Sequence, residues 1–187
     1  METAGQSTLI NRMIRAARLE NEVFEEVEAD RTATNGALLV VVIAAVATGI
    51  GAALAHMLRG APGRVPGALV GEIVGAIIGW LVWSYVTYFI GTRLFAGRAT
   101  PGELLRTIGF AQAPGVLNVL SFIPVLGGLI RFAVAIWLLV AGVVAVRQAL
   151  DFDTGKAILT TILGWLALIA IAIILAVLGF GAAAALG

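Results

Sequence analysis

The sequence contains no cysteine and only one histidine, His56, among its 187 residues. A chain without cysteine forms no disulfide bond, no thiolate metal site and no cysteine nucleophile. A lone histidine also leaves no material for a histidine-rich metal centre or a serine–histidine catalytic pair. These absences exclude most metalloenzyme and hydrolase functions, so we expect a protein without catalytic residues, metal or cofactor.

Charged residues are scarce as well. They make up 12% of the chain, against about 25% in an ordinary soluble domain, whereas hydrophobic residues make up 60%. The formal net charge is +1, and most of the charges lie at the ends of apolar runs. Since phosphate recognition needs a basic surface patch, nucleic acid is excluded as a partner. The composition is that of an integral membrane protein.

Five apolar stretches are long enough to cross a bilayer, whose core of about 30 Å takes roughly 20 helical residues. They cover residues 36–58, 67–95, 107–123, 125–149 and 154–180. Residues 1–35 precede them as a separate N-terminal segment, and residues 36–187 form the membrane domain. The sequence therefore predicts an all-α integral membrane protein, a five-helix bundle with a short amphipathic N-terminal segment.

The third and fourth stretches are interrupted. Pro114 lies inside the third, and Ile123-Pro124-Val125-Leu126-Gly127-Gly128 separates it from the fourth. We interpret this segment as a tight turn between two spans. If residues 107–149 instead form a re-entrant hairpin, the count falls to three spans and the two termini keep their sides of the membrane.

The distribution of basic residues predicts the orientation. With five spans, nine of the twelve Lys and Arg residues lie on the side of the N-terminus, and only Arg59, Arg64 and Arg131 lie on the other. Cytoplasmic loops hold the excess of positive charge. We therefore expect a multi-pass protein of the inner (plasma) membrane with a cytoplasmic N-terminus and an external C-terminus.

The N-terminal segment has an amphipathic pattern between residues 7 and 19. Its apolar residues share one helical face, and Arg12, Arg15 and Arg18 share the other. A basic amphipathic helix suits an anionic membrane surface. Residues 20–30 are acidic, with six carboxylates and a narrow apolar stripe. We expect two short helices folded against the membrane or the bundle; a docking site for a partner protein is the alternative.

The second stretch carries the clearest local motif, a glycine every fourth residue at Gly67, Gly71, Gly75 and Gly79. This spacing places the glycines on one helix face, and small residues allow two membrane helices to approach closely. The sequence predicts packing of this glycine stripe on the first span, which has a weaker ladder of small residues. A contact with a second copy or another subunit is the alternative.

Glu72 lies about one turn inside the second stretch, where an unpaired carboxylate is costly. At the assigned orientation Arg131 lies at a comparable depth, so we predict a Glu72–Arg131 ion pair, with Arg64 as the fallback partner. A role in a proton or ion path is the alternative. Gln112 and Asn118, the amides of the third stretch, are expected to form hydrogen bonds between helices.

Several segments resemble one known family. Their order along the chain is Gly102-Glu103-Leu104-Leu105-Arg106-Thr107-Ile108-Gly109-Phe110-Ala111-Gln112-Ala113-Pro114, then Ile123-Pro124-Val125-Leu126-Gly127, Ile136-Trp137, Arg147-Gln148-Ala149 and Thr154-Gly155-Lys156-Ala157. They resemble the Yip family of Ypt/Rab-interacting membrane proteins, over about residues 9–178. The resemblance implies five spans and a cytoplasmic N-terminus. Eukaryotic members act in vesicle traffic through Rab-type GTPases. This chain lacks their long N-terminal region and resembles the compact prokaryotic branch; its Ala, Gly and Arg usage suggests a bacterium or archaeon.

Three functional hypotheses remain. The first is a non-enzymatic scaffold or accessory subunit that contacts lipids and other membrane proteins, or itself, through the glycine stripe or the N-terminal helices. The second is a small transporter or channel, which requires Glu72, Gln112 and Asn118 to converge on a cavity. The third, weaker, is a subunit of a pigment or redox complex that holds a cofactor through His56.

Overall fold

The computed structural model describes the backbone of residues 8–60 and 65–185; the side chains of residues 65–68, 172 and 175–185 lie outside that description. This part of the chain holds seven α-helices and one 3-10 helix. They are α1 (Leu9–Ala17), α2 (Asn21–Ala29), α3 (Ala33–Leu58), α4 (Val65–Leu94), α5 (Pro101–Phe110), the 3-10 segment (Ala113–Phe122), α6 (Leu126–Ala149) and α7 (Thr154–Ala185).

Four of the described helices, α3, α4, α6 and α7, are long and apolar enough to cross a membrane. The prediction of a five-helix bundle is therefore wrong in its third member. Residues 107–123 do not form one helix, because they divide between the end of α5 and the 3-10 segment. The coarser prediction, an all-helical multi-pass membrane protein, is confirmed.

Pro114 explains where α5 ends. A proline in a helix lacks the N–H donor for the carbonyl four residues earlier and collides with it. That residue is Phe110, the last residue of α5. The chain continues with i to i+3 hydrogen bonds, such as the one from the Gly115 N–H to the Gln112 carbonyl at 2.9 Å. A 3-10 helix rises about 2.0 Å per residue, so ten residues extend about 20 Å.

The 3-10 segment runs parallel to α3 along much of its length. Two glycine contacts set the register between the 3-10 segment and α3: Gly115 lies against Ala44, and Gly51 lies against the carbonyl of Asn118. Just before the segment, Gly109 of α5 lies against Ala37. A Cβ at Gly109 would stand 2.6 Å from the Cβ of Ala37. The absence of side chains at these positions allows the two backbones to approach closely.

Five segments close a ring. The 3-10 segment contacts α3 and α6, α6 contacts α7, α7 contacts α4, and α4 contacts α3. On one end the ring meets α5, which contacts α3, α4, α6 and α2. Most of the third predicted span thus takes part in the ring as a 3-10 segment.

The N-terminal helices dock on that end of the bundle, as expected. α2 buries its apolar stripe, Val23, Phe24 and Val27, completely and contacts α5 and α6. α1 is held by the Trp137 indole N–H, which donates to the Ala17 carbonyl at 2.8 Å. The two helices pack on the chain's own helices through a continuous apolar contact.

Capping side chains fix the starts of two helices. The Thr100 hydroxyl accepts from the Glu103 N–H at 3.3 Å, and the Glu103 carboxylate accepts from the Thr100 N–H at 2.7 Å, which completes a capping box before α5. At α7 the Asp153 carboxylate accepts from the Lys156 N–H at 3.0 Å.

Candidate functional site: a central cavity and an open helix face

A cavity of about 300 Å³ lies inside the ring. All five ring segments line it. The lining residues are Val41, Ala44, Ala45 and Thr48 of α3; Glu72, Ala76, Gly79, Trp80 and Trp83 of α4; Gln112, Gly115 and Asn118 in and beside the 3-10 segment; Leu138 of α6; and Trp165 and Leu168 of α7. The three polar side chains that a transport function requires, Glu72, Gln112 and Asn118, therefore do converge on one cavity.

The polar groups of the cavity are incompletely satisfied. The Asn118 Oδ1 atom is buried and has no hydrogen-bond partner. Neither amide bridges two helices within the described residues, so the prediction of interhelical hydrogen bonds is wrong for Gln112 and Asn118. The reason is the cavity itself, which leaves no opposing donor within reach. Glu72 keeps an exposed side chain, so the cavity is open beside it.

Tryptophans form the apolar wall. Trp80 and Trp83 are 6% and 5% exposed, so these α4 aromatics fill the bundle. The Trp80 indole N–H donates to the Leu105 carbonyl at 3.0 Å, so its ring is fixed in place. Trp83 and Trp165 form an edge-to-face pair with ring centroids 6.3 Å apart.

A group of buried hydroxyls lies beside this wall, between α4 and α7. Ser84, Thr87, Thr160 and Thr161 are each at most 1% exposed, and their hydroxyl oxygens have no hydrogen-bond partner. The Trp83 Nε1 atom, also unpartnered, points the same way. Sequence reasoning missed this cluster; the paired hydroxyl residues in otherwise apolar runs were the available signal.

The structure does not bring Glu72 and Arg131 together, so the predicted ion pair is wrong. Arg131 lines a different cavity of about 440 Å³, next to Arg59 and the turn before α6. The reason is the ring order, in which α7 separates α4 from α6 on one side while α3 and the 3-10 segment separate them on the other. The fallback partner, Arg64, lies outside the described residues.

The glycine stripe of α4 does not pack inside the bundle. A Cβ at Gly71, Gly75 or Gly79 would meet nothing within 4 Å. Gly67 lies on the same helix, but its surroundings fall outside the description. The predicted packing of the stripe on α3 is therefore wrong: α4 meets α3 through Leu69, whose side chain lies against Gly49 of α3. Helix rotation decides this, because the cavity-lining face of α4 includes Glu72, Gly79 and Trp80 and leaves Gly71 and Gly75 outside it.

Two of the three predicted membrane-surface arginines bind α2 instead. Arg12 pairs with Glu26 at 2.9 Å and with Asp30 at 3.0 Å. Arg15 pairs with Glu26 at 2.6 Å and with Glu20 at 3.1 Å. The acidic helix therefore balances the charge of the basic one, and the two arginines hold α1 and α2 together. Arg18 is exposed and keeps a membrane-surface role as a prediction.

Arg106 joins α5 to the end of α2. It is 6% exposed, and its Nε donates to the Val27 carbonyl at 2.8 Å while its Nη2 donates to the Glu28 carbonyl. These carbonyls belong to the last turn of α2, where a cation is favourable.

Burial, followed by repulsion from Glu103 and Asp151, raises the pKa of the Glu28 carboxyl to about 7.

His56 lies near the end of α3 and is half-buried. The described residues contain no group of three or more histidine or acidic side chains gathered as a metal site.

Comparison with known proteins identifies the chain. A sequence model of the Yip1 domain matches residues 19–184. The chain belongs to the Yip1 domain family. No curated protein and no solved structure matches it. The matched Yip1 region begins just before α2 and includes the whole ring, whereas α1 precedes it.

Two of the segments that carry the resemblance border the 3-10 segment. Residues 102–114 make up α5 and the start of the 3-10 segment, and residues 123–127 make the turn before α6. The other segments, at residues 136–137, 147–149 and 154–157, lie in α6 and α7. The broken third crossing supplies Gln112, Gly115 and Asn118 to the cavity.

Proposed function

We propose that this Yip1-domain protein is a non-enzymatic membrane scaffold that binds another transmembrane helix against the glycine stripe of α4. The observation that carries the proposal is the open space beside Gly71 and Gly75, which lie outside the lining of the central cavity, whereas Gly79 borders that cavity. Several glycines elsewhere in the bundle lie against a neighbour. Gly109 meets Ala37 and Gly142 meets the ring of Trp83, each within 2.7 Å of a Cβ placed there.

The surroundings of the stripe suit helix association. Val70, Val74 and Ile78 flank it and are 62%, 49% and 55% exposed. Glycines flanked by branched side chains form a shallow groove and ridge, which favours close packing in lipid where the hydrophobic effect offers no advantage. Association of such a face gains dispersion contacts that lipid chains do not provide equally well.

The occupant we propose is α4 of a second copy. A two-fold axis along the membrane normal brings the same face of both copies together, and such an isologous contact needs only one self-complementary surface. A four-residue glycine repeat has this property. A helix of a different membrane protein is the competing occupant, consistent with a family that acts in membrane traffic.

The absence of cysteine allows a direct test. Single cysteines at Val74 and at Phe132 of α6, which is 65% exposed, provide a matched pair of lipid-accessible positions. We expect oxidation in native membranes to yield a disulfide-linked dimer for Val74→Cys and none for Phe132→Cys. Adding Gly75→Leu should abolish the Val74 dimer. Equal cross-linking at both positions contradicts the proposal, and cross-links to a different protein would identify a heterologous partner.

The proposed orientation has a cytoplasmic N-terminus and an external C-terminus in the inner membrane of a prokaryote. The bias of the basic residues supports it. Single cysteines at Asn21 and Val125, at opposite ends of the bundle, test it in intact cells. A membrane-impermeant maleimide should label Val125→Cys alone, and labelling of Asn21→Cys alone would reverse the assignment.

A second candidate function is the passage of a small polar solute through the central cavity. The convergence of Glu72, Gln112 and Asn118 supports it. Proteoliposomes that contain the protein should then show solute or proton flux, and Glu72→Gln should reduce it. A flux equal to that of protein-free vesicles would exclude this candidate without affecting the scaffold proposal.

A further inference from the structure

We propose that the central cavity is a binding site for an elongated organic cation, with its ammonium group at Glu72 and Asn118 and its apolar body along the tryptophan wall. The inference places a ligand in the cavity of the second candidate function, but it requires binding only and no transport.

The charge of the cavity selects a cation. Glu72 is the one charged side chain among the described residues that line it. A carboxylate inside a membrane domain is costly unless it is paired or wetted, and the structure provides no basic side chain to pair with it in the described lining. A ligand with one positive charge balances it.

The register of the helices places Glu72 and Asn118 at the same end. Leu69 of α4 lies against Gly49 of α3, and the Asn118 carbonyl lies against Gly51. Glu72 is one turn from Leu69, towards the level where Ala44 meets Gly115. Asn118 lies one 3-10 turn beyond Gly115, so both polar residues lie on the side of the cavity away from Trp80. The buried and unpartnered Asn118 Oδ1 is an acceptor available to an ammonium N–H or to the polarised C–H groups around a quaternary nitrogen.

The other end of the cavity suits an apolar or aromatic body. Trp80, Trp83 and Trp165 line it together with Leu138 and Leu168. Tryptophan faces attract organic cations and their adjoining polarised carbons more strongly than the other aromatic side chains do. Along α4, Glu72 and Trp80 are separated by about 12 Å of helix rise, so a ligand that contacts both ends is elongated.

The volume of the cavity is consistent with such a ligand. About 300 Å³ lies at the lower limit of ordinary small-molecule pockets. It corresponds to the volume of about ten water molecules in the liquid. A single inorganic ion would leave most of this space, and all of the tryptophan wall, unused.

Binding of benzyltrimethylammonium to the detergent-purified full-length protein tests the inference. Its uncharged isostere, neopentylbenzene, has nearly the same shape. We expect saturable binding of the cation, followed by calorimetry and tryptophan fluorescence, and at least about tenfold weaker binding of the isostere. Trp137, which lies outside the cavity lining, is replaced by Phe so that the fluorescence reports on the three cavity tryptophans.

Variants distinguish a specific site from non-specific attraction. Glu72→Gln should weaken cation binding about tenfold or more, and Glu72→Asp should retain part of it. Glu22→Gln, at an exposed position of α2, removes the same charge and should leave cation binding unchanged. Monodisperse elution and an unchanged melting temperature of the Glu72 variants show that folding is not the cause.

Two results would overturn the inference: equal affinity for the cation and its isostere, or unchanged binding in folded Glu72→Gln. Either result leaves the flux measurement in proteoliposomes free to support transport of another solute. Cation binding without flux would support the site and exclude only the transport function.

Discussion

Gly51 of α3 lies so close to the backbone carbonyl of Asn118 that any side chain at Gly51 would collide with it. The same Cβ would stand 2.8 Å from the Ser121 hydroxyl oxygen. Because the neighbour is backbone, no rotation of a side chain relieves the collision. The contact fixes the distance between α3 and the 3-10 segment.

Gly51→Ala should therefore destabilise the bundle. Overpacking typically costs about 1–3 kcal/mol. Gly128→Ala on α6 is the matched control: it adds the same methyl group in open space, and alanine is the better helix former. We expect a lower thermal midpoint for Gly51→Ala in detergent and an unlowered one for Gly128→Ala. Equal melting temperatures for the two variants would show that the α3 contact is not tight.

Arg106→Met should release the N-terminal helices. The guanidinium donates to two carbonyls at the end of α2, and hydrogen bonds of a charged group contribute about 1.5–3 kcal/mol each. Arg106→Lys should rescue only part of the effect, since a lysine does not reproduce the planar fork. We expect faster amide exchange and earlier proteolysis in residues 21–30.

The exposed Arg98, changed to Met, is the control for Arg106. It removes the same charge near α5 and should leave amide exchange in α2 as it is in the native chain. Loss of protection in both variants would assign the effect to net charge rather than to the two hydrogen bonds.

Glu28 should make stability depend on pH. Its pKa is about 7 in the folded protein against an ordinary value of 4.5, so the folded state holds the proton more tightly than the unfolded state. Its contribution to stability is therefore greatest below the unfolded pKa and is lost as the pH rises towards 7. Glu28→Gln should flatten the dependence of the melting temperature across this window, whereas Glu22→Gln on the exposed side of α2 should preserve it. A native melting temperature that rises through the window would contradict the assignment.

Val125 offers a stabilising substitution. It lies in the turn before α6 with φ 68° and ψ −45°, a region that a β-branched residue rarely adopts, and its side chain is 99% exposed. Such a conformation costs about 1–3 kcal/mol. Val125→Gly should raise the thermal midpoint, and Val125→Ala, which keeps a Cβ, should raise it less. No gain from glycine would mean that the turn is not strained.

The four long helices could be predicted because each follows from a long, predominantly apolar run and, at α7, from a capping residue. The capping box at Thr100 and Glu103 is equally local. The 3-10 segment could not be predicted in the same way. Pro114 indicates a break, but the conformation after it depends on how closely Gly51, Gly109 and Gly115 let two backbones approach, which is a property of the assembled bundle.

The candidate site was predictable in its residues and not in its geometry. The sequence singled out Glu72, Gln112 and Asn118 as polar exceptions in apolar runs. It did not reveal that α4 turns Glu72 towards the cavity and Gly75 away from the bundle, because that rotation is decided by the packing of Trp80 and Trp83. The Glu72–Arg131 prediction failed for a related reason. Depth in the membrane says nothing about the order of helices around a ring, and that order keeps α4 and α6 apart.

The 3-10 segment also gives the ring one wall that is longer than an α-helix with the same number of residues. An α-helix rises about 1.5 Å per residue and a 3-10 helix about 2.0 Å, so rewinding ten residues to α geometry would shorten that wall by about 5 Å. The four long helices are already α-helical and cannot shorten in this way. A change in the length of residues 113–122 would therefore alter the central cavity and move the strained turn at Val125 that follows them.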